Sequence, residues 1–312
     1  MFIGIDIGGT KCAVTKGTAE GEILKKIKFP TSDCQQTLKQ IYDAVGKMGE
    51  AQAIGISCGG PLDAEKGIIM SPPNLPGWDN VCIVDMLEKK FNIPTFLQND
   101  ANACALAEWK FGAGKGTRNM VFFTFGTGLG AGLILDGKLY SGTCGMAGEA
   151  GHIRLDNYGP VGYGKEGSFE GFCSGGGLAQ LGKMVATRLL QQGKKPSFCM
   201  DAKKLDTINA KSIADCAKEG HEDALEVYRI CGQKLGQGLA IIIDILNPQK
   251  IILGSIYARS YELLYDEMMM VLKRECLPQA LKVCEIVPAG LGEEIGDWAA
   301  LSVATEGVKN DR

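Results

Sequence analysis

The chain has 312 residues, 45% hydrophobic and 22% charged, which is enough for one large or two ordinary domains; two are expected. A formal net charge of −3 and a pI near 5.6 leave no basic excess for a phosphate-backbone footprint, so no nucleic-acid partner is expected. The twelve cysteines are dispersed without a CxxC pair, and Met1-Phe2-Ile3-Gly4-Ile5-Asp6 enters an apolar strand pattern with no leader, so a cytoplasmic protein with reduced thiols is expected.

Taken in chain order, Phe2–Asp6 and Cys12–Gly17 read as strands joined by a glycine turn, a hairpin. A helix is predicted from about Asp33, with Leu38, Ile41, Tyr42 and Val45 at helical spacing, followed by a buried strand, Ala53–Ser57, that ends in Gly59-Gly60-Pro61. A proline-rich loop (Ser71–Trp78), a short helix (Val84–Phe91) and the strand Ile93–Gln98 lead to a helix over Ala101–Phe111. After the link Gly112–Asn119, the strand Met120–Phe125 runs into Gly126–Gly132 and then into Leu133–Gly137, a second glycine hairpin. From Gly175 the pattern is mainly helical. It has a long helix around Asp223–Leu246, a buried strand Lys250–Ser255, another helix, the strand Lys282–Ala289 and a closing helix Gly292–Gly307. The apolar run Leu239–Leu246 contains Asp244 and is far shorter than the roughly 20 residues a bilayer requires, so it reads as a buried helix end and no membrane association is expected. Two halves that each open strand, glycine turn, strand predict an α/β architecture with an internal duplication.

Asp6-Ile7-Gly8-Gly9-Thr10-Lys11 sets a carboxylate at a strand end, then two residues without side chains, then a hydroxyl and an ammonium. Exposed glycine N–H groups can form an anion nest, the hydroxyl and ammonium add donors to phosphate, and the carboxylate suits magnesium through water. An ordinary hairpin turn is the plainer reading. The second loop, Gly126-Thr127-Gly128-Leu129-Gly130-Ala131-Gly132, matches GxGxxG but is followed by a strand, which disfavours a dinucleotide fold, and neither loop has the lysine-containing P-loop pattern. Two glycine hairpins, one in each half, fit the gripping of a polyphosphate.

Gln98-Asn99-Asp100-Ala101-Asn102 lies where an apolar strand ends and a helix begins, the place where open α/β sheets present ligand groups. Asp100 is the candidate general base for a phosphoryl acceptor, a helix N-cap at Asn99 or Asp100 being the alternative. Glu149-Ala150-Gly151-His152 places one of two histidines beside a carboxylate in a glycine-rich loop, where it could bind sugar hydroxyls or a metal. His221, among charged residues at a helix start, reads as a solvated surface group.

In order and over nearly the whole chain, DIGGTK, GISCGGPLD, PNLPGW, NDANACALAEW, GTGLGAGLILDG, and GEAGH followed by Glu170 and Ser174-Gly175 resemble the ROK family (repressors, open reading frames, kinases). The resemblance implies an α/β, actin-like ATPase fold of the hexokinase/ribonuclease H-like type, with two domains flanking a nucleotide/sugar cleft. The expected ranges are a small domain 1–115 completed by a C-terminal helix 290–312, and a large domain 116–289. It further implies a homodimer that uses ATP and Mg2+ to phosphorylate a hexose or N-acetylhexosamine, usually at O6, with glucose and N-acetylmannosamine favoured. Carried over, Asp100 is the base, and Gly60, Asn74, Asn99, Glu149, His152 and Glu170 contact the sugar. Gly8, Gly9, Thr10, Lys11, Gly126, Thr127, Gly128, Gly254 and Ser255 contact the nucleotide, and Asp6 holds magnesium through water.

Two departures from the family pattern stand out. Members commonly carry a CxCGxxGCxE segment whose cysteines bind structural zinc with the histidine. Here Val161, Tyr163 and Ser168 occupy those positions, so no structural zinc is expected, and packing of Tyr163 and Phe169 is expected to hold the loop. Gly254-Ser255-Ile256 stands where the family usually has a run of glycines. Two alternatives to a kinase are a sugar-responsive regulator, which in this family has an N-terminal DNA-binding extension not seen in this sequence, and a degenerate sugar binder. Retention of Asp6, Asp100 and both loops favours the enzyme.

Overall fold

A computed structural model of the protein describes residues 1–310. The elements in chain order begin with β1 (Phe2–Ile7), β2 (Lys11–Gly17), β3 (Ile23–Pro30), α1 (Cys34–Gly46), β4 (Ile54–Cys58), β5 (Leu62–Asp63), β6 (Ile68–Ile69), α2 (Ile83–Phe91), β7 (Thr95–Asn99) and α3 (Asp100–Lys110). Next come β8 (Met120–Phe123), β9 (Ala131–Leu135), β10 (Lys138–Tyr140), β11 (Val161–Gly162), β12 (Lys165–Glu166), α4 (Phe169–Phe172), α5 (Gly175–Gln191) and α6 (Ala210–Lys218). The chain continues with α7 (Glu222–Leu246), β13 (Lys250–Leu253), α8 (Ile256–Arg259), α9 (Tyr261–Glu275), α10 (Pro278–Val283), β14 (Glu285–Pro288) and α11 (Ile295–Asn310).

Most expected elements appear within a few residues of their sequence-based bounds. Strand β3 was not anticipated: its Lys25, Lys26 and Lys28 give it the polar look of a loop, which is how an edge strand guards itself against unwanted pairing. The expected strand from Lys282 begins only at Glu285, because Pro278 in the first turn of α10 starts a short helix that runs through Val283.

The described chain forms two compact units. The first holds Met1–Phe122, Gly132–Gly148 and the stretch from Gly290; the second holds Phe123–Ala131 and Glu149–Ala289. These differ from the expected ranges, since 116–122 and 132–148 group with the first unit, while the last two residues of the expected 290–312 lie outside the described residues. The cause is packing onto α3. A side chain at Gly132 would come within 2.6 Å of Ala101 O and Ala105 Cβ, and Trp109 Nε1 donates to Thr117 O at 2.8 Å.

The first unit is built on a five-stranded sheet in the order β3-β2-β1-β4-β7, antiparallel through β3-β2-β1 and parallel through β1-β4-β7. Strand alternation sorts β1 onto two faces. Ile3, Ile5 and Ile7 enter a buried cluster with Leu38, Ile41 and Val45 of α1, Leu87 of α2 and Trp78, while Phe2 packs with Leu301 and Ala304 of α11. On the α11 side, Phe2 and Phe96 pack against the helix, and glycines between them let it approach the strands closely. A Cβ at Gly55 would lie 2.3 Å from both Ala300 O and Ala304 N, so the helix backbone rests directly on the strand. That contact fixes where the first turn of α11 falls, beside Asp6.

The second unit is mainly helical. Its longest helix, the 25-residue α7, buries Val227, Cys231, Leu235, Leu239 and Ile243 along one face, and β13 pairs in parallel with β14. At the end of α7, Ile242 and Ile243 are buried but Ile245 is exposed, so the apolar run is only half covered. Among the described residues no helix is long and apolar enough to cross a membrane. All twelve cysteines are free thiols.

Candidate functional site

In the first unit, the β1–β2 turn closes with Gly8 N donating to Lys11 O at 3.2 Å, and Thr31 braces it from β3's end by donating its hydroxyl to Gly8 O at 2.6 Å. Gly9, Thr10 and Lys11 are exposed on this turn. Gly9 cannot be replaced without displacing the PNLPGW loop, because a Cβ would stand 2.6 Å from Asn74 O. Two motifs far apart in sequence, the glycine turn and Asn74, therefore meet. Asp6, on the α11 face of β1, abuts the first turn of that helix: a Cβ at Gly296 would be 2.6 Å from its Oδ2.

Asp6 is partly exposed but enclosed by protein on most sides. Burial foremost, then the charges of Asp297 and Asp100, raise its pKa to about 6 against the opposing pull of Lys11 and Lys26. Asp297 is buried, accepts from Thr15 Oγ1 at 3.2 Å and is ion-paired with Lys26. An acidic group held in excess of its local countercharge suits a divalent cation, and Asp6 fits magnesium on that ground. Asp297 and Gly296 carried no signal in the sequence beyond membership of a helix; only the fold brings them here.

The N-cap alternative for Asp100 resolves in favour of its neighbour. Asn99 caps α3, accepting from Ala101 N at 3.0 Å, while Asp100 is the first helical residue and accepts the same N–H with Oδ1 at 2.8 Å. Its other oxygen, Oδ2, faces the Gly59-Gly60 turn, 3.8 Å from where a Gly59 Cβ would stand; a Gly60 Cβ would be 3.5 Å from Asn99 Nδ2. Asp100 keeps a solvent-exposed face yet has protein packed densely around it, and that desolvation holds its carboxyl above the usual range, with the Ala101 hydrogen bond opposing. Gly60, Asn99 and Asp100 are thus adjacent. A cavity of about 870 Å³ in this unit, between Pro61–Lys66, Phe96–Gln98, Lys138–Met146 and α11, contains none of the predicted site residues.

In the second unit, the loop Gly126–Gly130 is cinched by Gly126 N to Gly128 O at 2.9 Å and by Thr124, whose Oγ1 accepts from Gly130 N at 3.0 Å. Thr127 is exposed at its tip. The N-terminus of α5 lies against this loop: Gly175 N donates to Gly126 O at 2.8 Å, and Ser174 caps the helix by accepting from Gly177 N at 2.9 Å. A helix N-terminus beside a glycine turn is suited to an anion, and the Ser-Gly-Gly-Gly run after Glu170 could have signalled it. Glu170 belongs to the same cluster. Its Oε2 accepts from Leu129 N at 2.9 Å, and a Cβ at Gly128 would be 2.7 Å from that oxygen, so the expected sugar contact also anchors the expected phosphate loop.

Glu149 and His152 lie at the two ends of one 3-10 turn, both exposed, with His152 N donating to Glu149 O at 3.1 Å; Gly151 of this turn backs onto Glu170. Gly254 and Ser255 follow β13, with Gly254 N donating to Phe123 O at 2.9 Å. Ser255 has φ 47°, a left-handed conformation that would suit the glycine the family usually has there. His221 sits at the α7 N-cap position without capping it and contacts Glu219 at 3.3 Å on the surface.

The expected packing of Tyr163 is not found: its side chain is 77% exposed, at positive φ (44°) in the β11–β12 turn, while Phe169 is fully buried, edge-on to Phe123. Among the described residues no group of three or more His, Cys, Asp or Glu could hold a metal.

Residues 2–306 match the ROK family. The chain is 31% identical to a glucokinase of Thermotoga maritima, the alignment covering 98% of this chain and 97% of that one. It is 33% identical to an N-acetylmannosamine kinase of Escherichia coli over 81% of each. A xylose repressor of Caldicellulosiruptor bescii is 30% identical over 88% of this chain and 70% of its own. In three dimensions the chain is similar to a ROK family glucokinase from Streptomyces griseus solved with glucose and AMPPNP, with a TM-score of 0.79, 30% identity and 98% and 99% coverage.

Proposed function

From the premise that this chain belongs to the ROK family, with its actin-like ATPase fold, and is an ATP-dependent sugar kinase, we propose that it phosphorylates glucose, or next N-acetylmannosamine, at O6 with Asp100 as general base. The placement of Asp100 carries the reading. Asn99 takes the capping role, which leaves Asp100 Oδ2 turned toward Gly59 and available to a hydroxyl. Desolvation keeps that carboxylate a stronger base than a surface one. Oδ2 accepts the proton of the sugar hydroxyl as its oxygen bonds to the terminal phosphorus of ATP and the bond to the ADP oxygen breaks.

The other groups bind and orient. Gly60, Asn74, Asn99, Glu149, His152 and Glu170 hold the sugar. The N–H groups of Gly9, Thr10, Thr127 and Gly128, with the α5 N-terminus and Lys11, stabilise the phosphates, Gly8 and Gly126 close the two turns with their own N–H groups and let the phosphates approach, and Gly254 and Ser255 contact the nucleoside. Asp6 would hold Mg2+ through water; when bound, the ion neutralises charge on the transferring phosphoryl group. The similarity to glucokinases supports glucose first, and the Escherichia coli kinase keeps N-acetylmannosamine second.

The test is ADP release with magnesium-ATP across a panel of hexoses and N-acetylhexosamines, with the phosphorylated position read by NMR. Turnover of glucose at O6 is expected. Sugar binding without turnover of any panel member would overturn the proposal in favour of a regulator like the xylose repressor.

A further inference from the structure

Residues 152–180 of the second unit are cross-braced by side chains. The β11–β12 hairpin has only two residue pairs and turns through Tyr163 (φ 44°) and Gly164 (φ 74°), a unit too short to hold itself. Gln180 of α5 holds it from outside: its Oε1 accepts from Val161 N and its Nε2 donates to Val161 O, each at 2.8 Å, so one amide satisfies both backbone groups as a neighbouring strand would. From the far strand, Lys165 Nζ donates to His152 O at 2.7 Å. Between them, the backbone at Gly162 presses on Glu170, where a Cβ would meet Glu170 Cβ at 2.8 Å and Gly171 N at 2.5 Å. Ser168, fully buried, accepts from Gly171 N at 3.1 Å and donates to Gly162 O at 3.4 Å.

Val161, Tyr163 and Ser168 are the residues that stand where the family's zinc cysteines stand, and none of their side chains fits zinc. The positions have other uses here. Val161 is pinned through its backbone, Tyr163 makes the turn, and Ser168 caps the helix that carries Glu170.

We propose that Gln180 and Lys165 are positioning residues that act through the hairpin 161–166 to hold Glu170 and His152 for the sugar, in place of a metal. The inference rests on the sugar-contact roles given above to those two residues. Neither Gln180 nor Lys165 touches substrate in this scheme; each fixes the backbone from which a contact projects.

The test compares sugar KM, ATP KM, kcat and melting temperature in Gln180→Ala and Lys165→Met, with His152→Gln and Glu170→Gln as references. Loss of the amide or ammonium should raise sugar KM about tenfold and leave ATP KM within about twofold, and Lys165→Arg should recover most of the loss. Incubation with a zinc chelator should leave sugar KM unchanged. If His152→Gln and Glu170→Gln raise sugar KM while Gln180→Ala and Lys165→Met only lower the melting temperature, the brace is structural and the inference fails. If the reference variants leave sugar KM unchanged, the underlying sugar-contact reading fails and takes the inference with it. Stoichiometric zinc together with a chelator-sensitive sugar KM would overturn it as well. Should Gln180→Ala not fold, Lys165→Met carries the test alone.

Discussion

Replacing Asp6 by asparagine should make the protein more stable and much less active. Its pKa rises from 3.8 to about 6 on folding, mainly through burial and the nearby Asp297 and Asp100. Roughly two units at ~1.4 kcal/mol each would cost about 3 kcal/mol at neutral pH, and the partial solvent contact of Asp6 brings this to about 1–3 kcal/mol. The folded chain holds this proton more tightly than the unfolded chain. The cost is therefore absent below about pH 3.8, grows as pH rises to about 6 and is complete above that. Asp6→Asn should melt a few degrees above the parent near pH 7.5 in magnesium-free buffer, with the gap closing by pH 4. Added Mg2+ should narrow the gap by stabilising the parent's carboxylate, while ADP release by the variant falls at least a hundredfold. Thermal melts at four pH values, with and without Mg2+, read all of this. A variant that melts at or below the parent at every pH would refute the electrostatic account, and one that keeps its turnover would remove Asp6 from the nucleotide site.

Other substitutions test other parts of the account. Asp100→Asn should lower kcat by about 10²–10⁴ with little change in sugar affinity measured by calorimetry, and near-normal turnover would exclude Asp100 as the base. Gly55→Ala drives a methyl into Ala300 O and Ala304 N, so it should cost more than ~3 kcal/mol and show as insoluble or unfolded protein; a soluble variant with an unchanged melting temperature would contradict the packing of α11. Ser255→Gly relieves a left-handed φ of 47° and should raise stability by about 1 kcal/mol in denaturant titrations, after allowing for glycine's extra freedom in the unfolded chain. Elemental analysis of the purified protein should find well under one zinc per chain.

What the sequence determined by itself was whatever repeats or punctuates over a few residues. A period of 3.6 marked α1, short apolar runs marked β1 and β4, and glycine turns marked both hairpins. The strand-to-helix junction at Asn99–Asp100 was legible because the apolar run stops where two capping residues begin. Tertiary structure alone decided which distant segments meet. Asp297 lies near Asp6 because close packing at Gly55 seats α11, and Glu170 reaches Leu129 because α4, capped by Ser168, sets it against the glycine loop. Gln180 braces Val161 through two backbone atoms, a contact that leaves no trace in side-chain pattern. Propensity and periodicity act between neighbours in the chain, whereas these contacts join segments 19 to about 290 residues apart and exist only once packing has set the backbones in place.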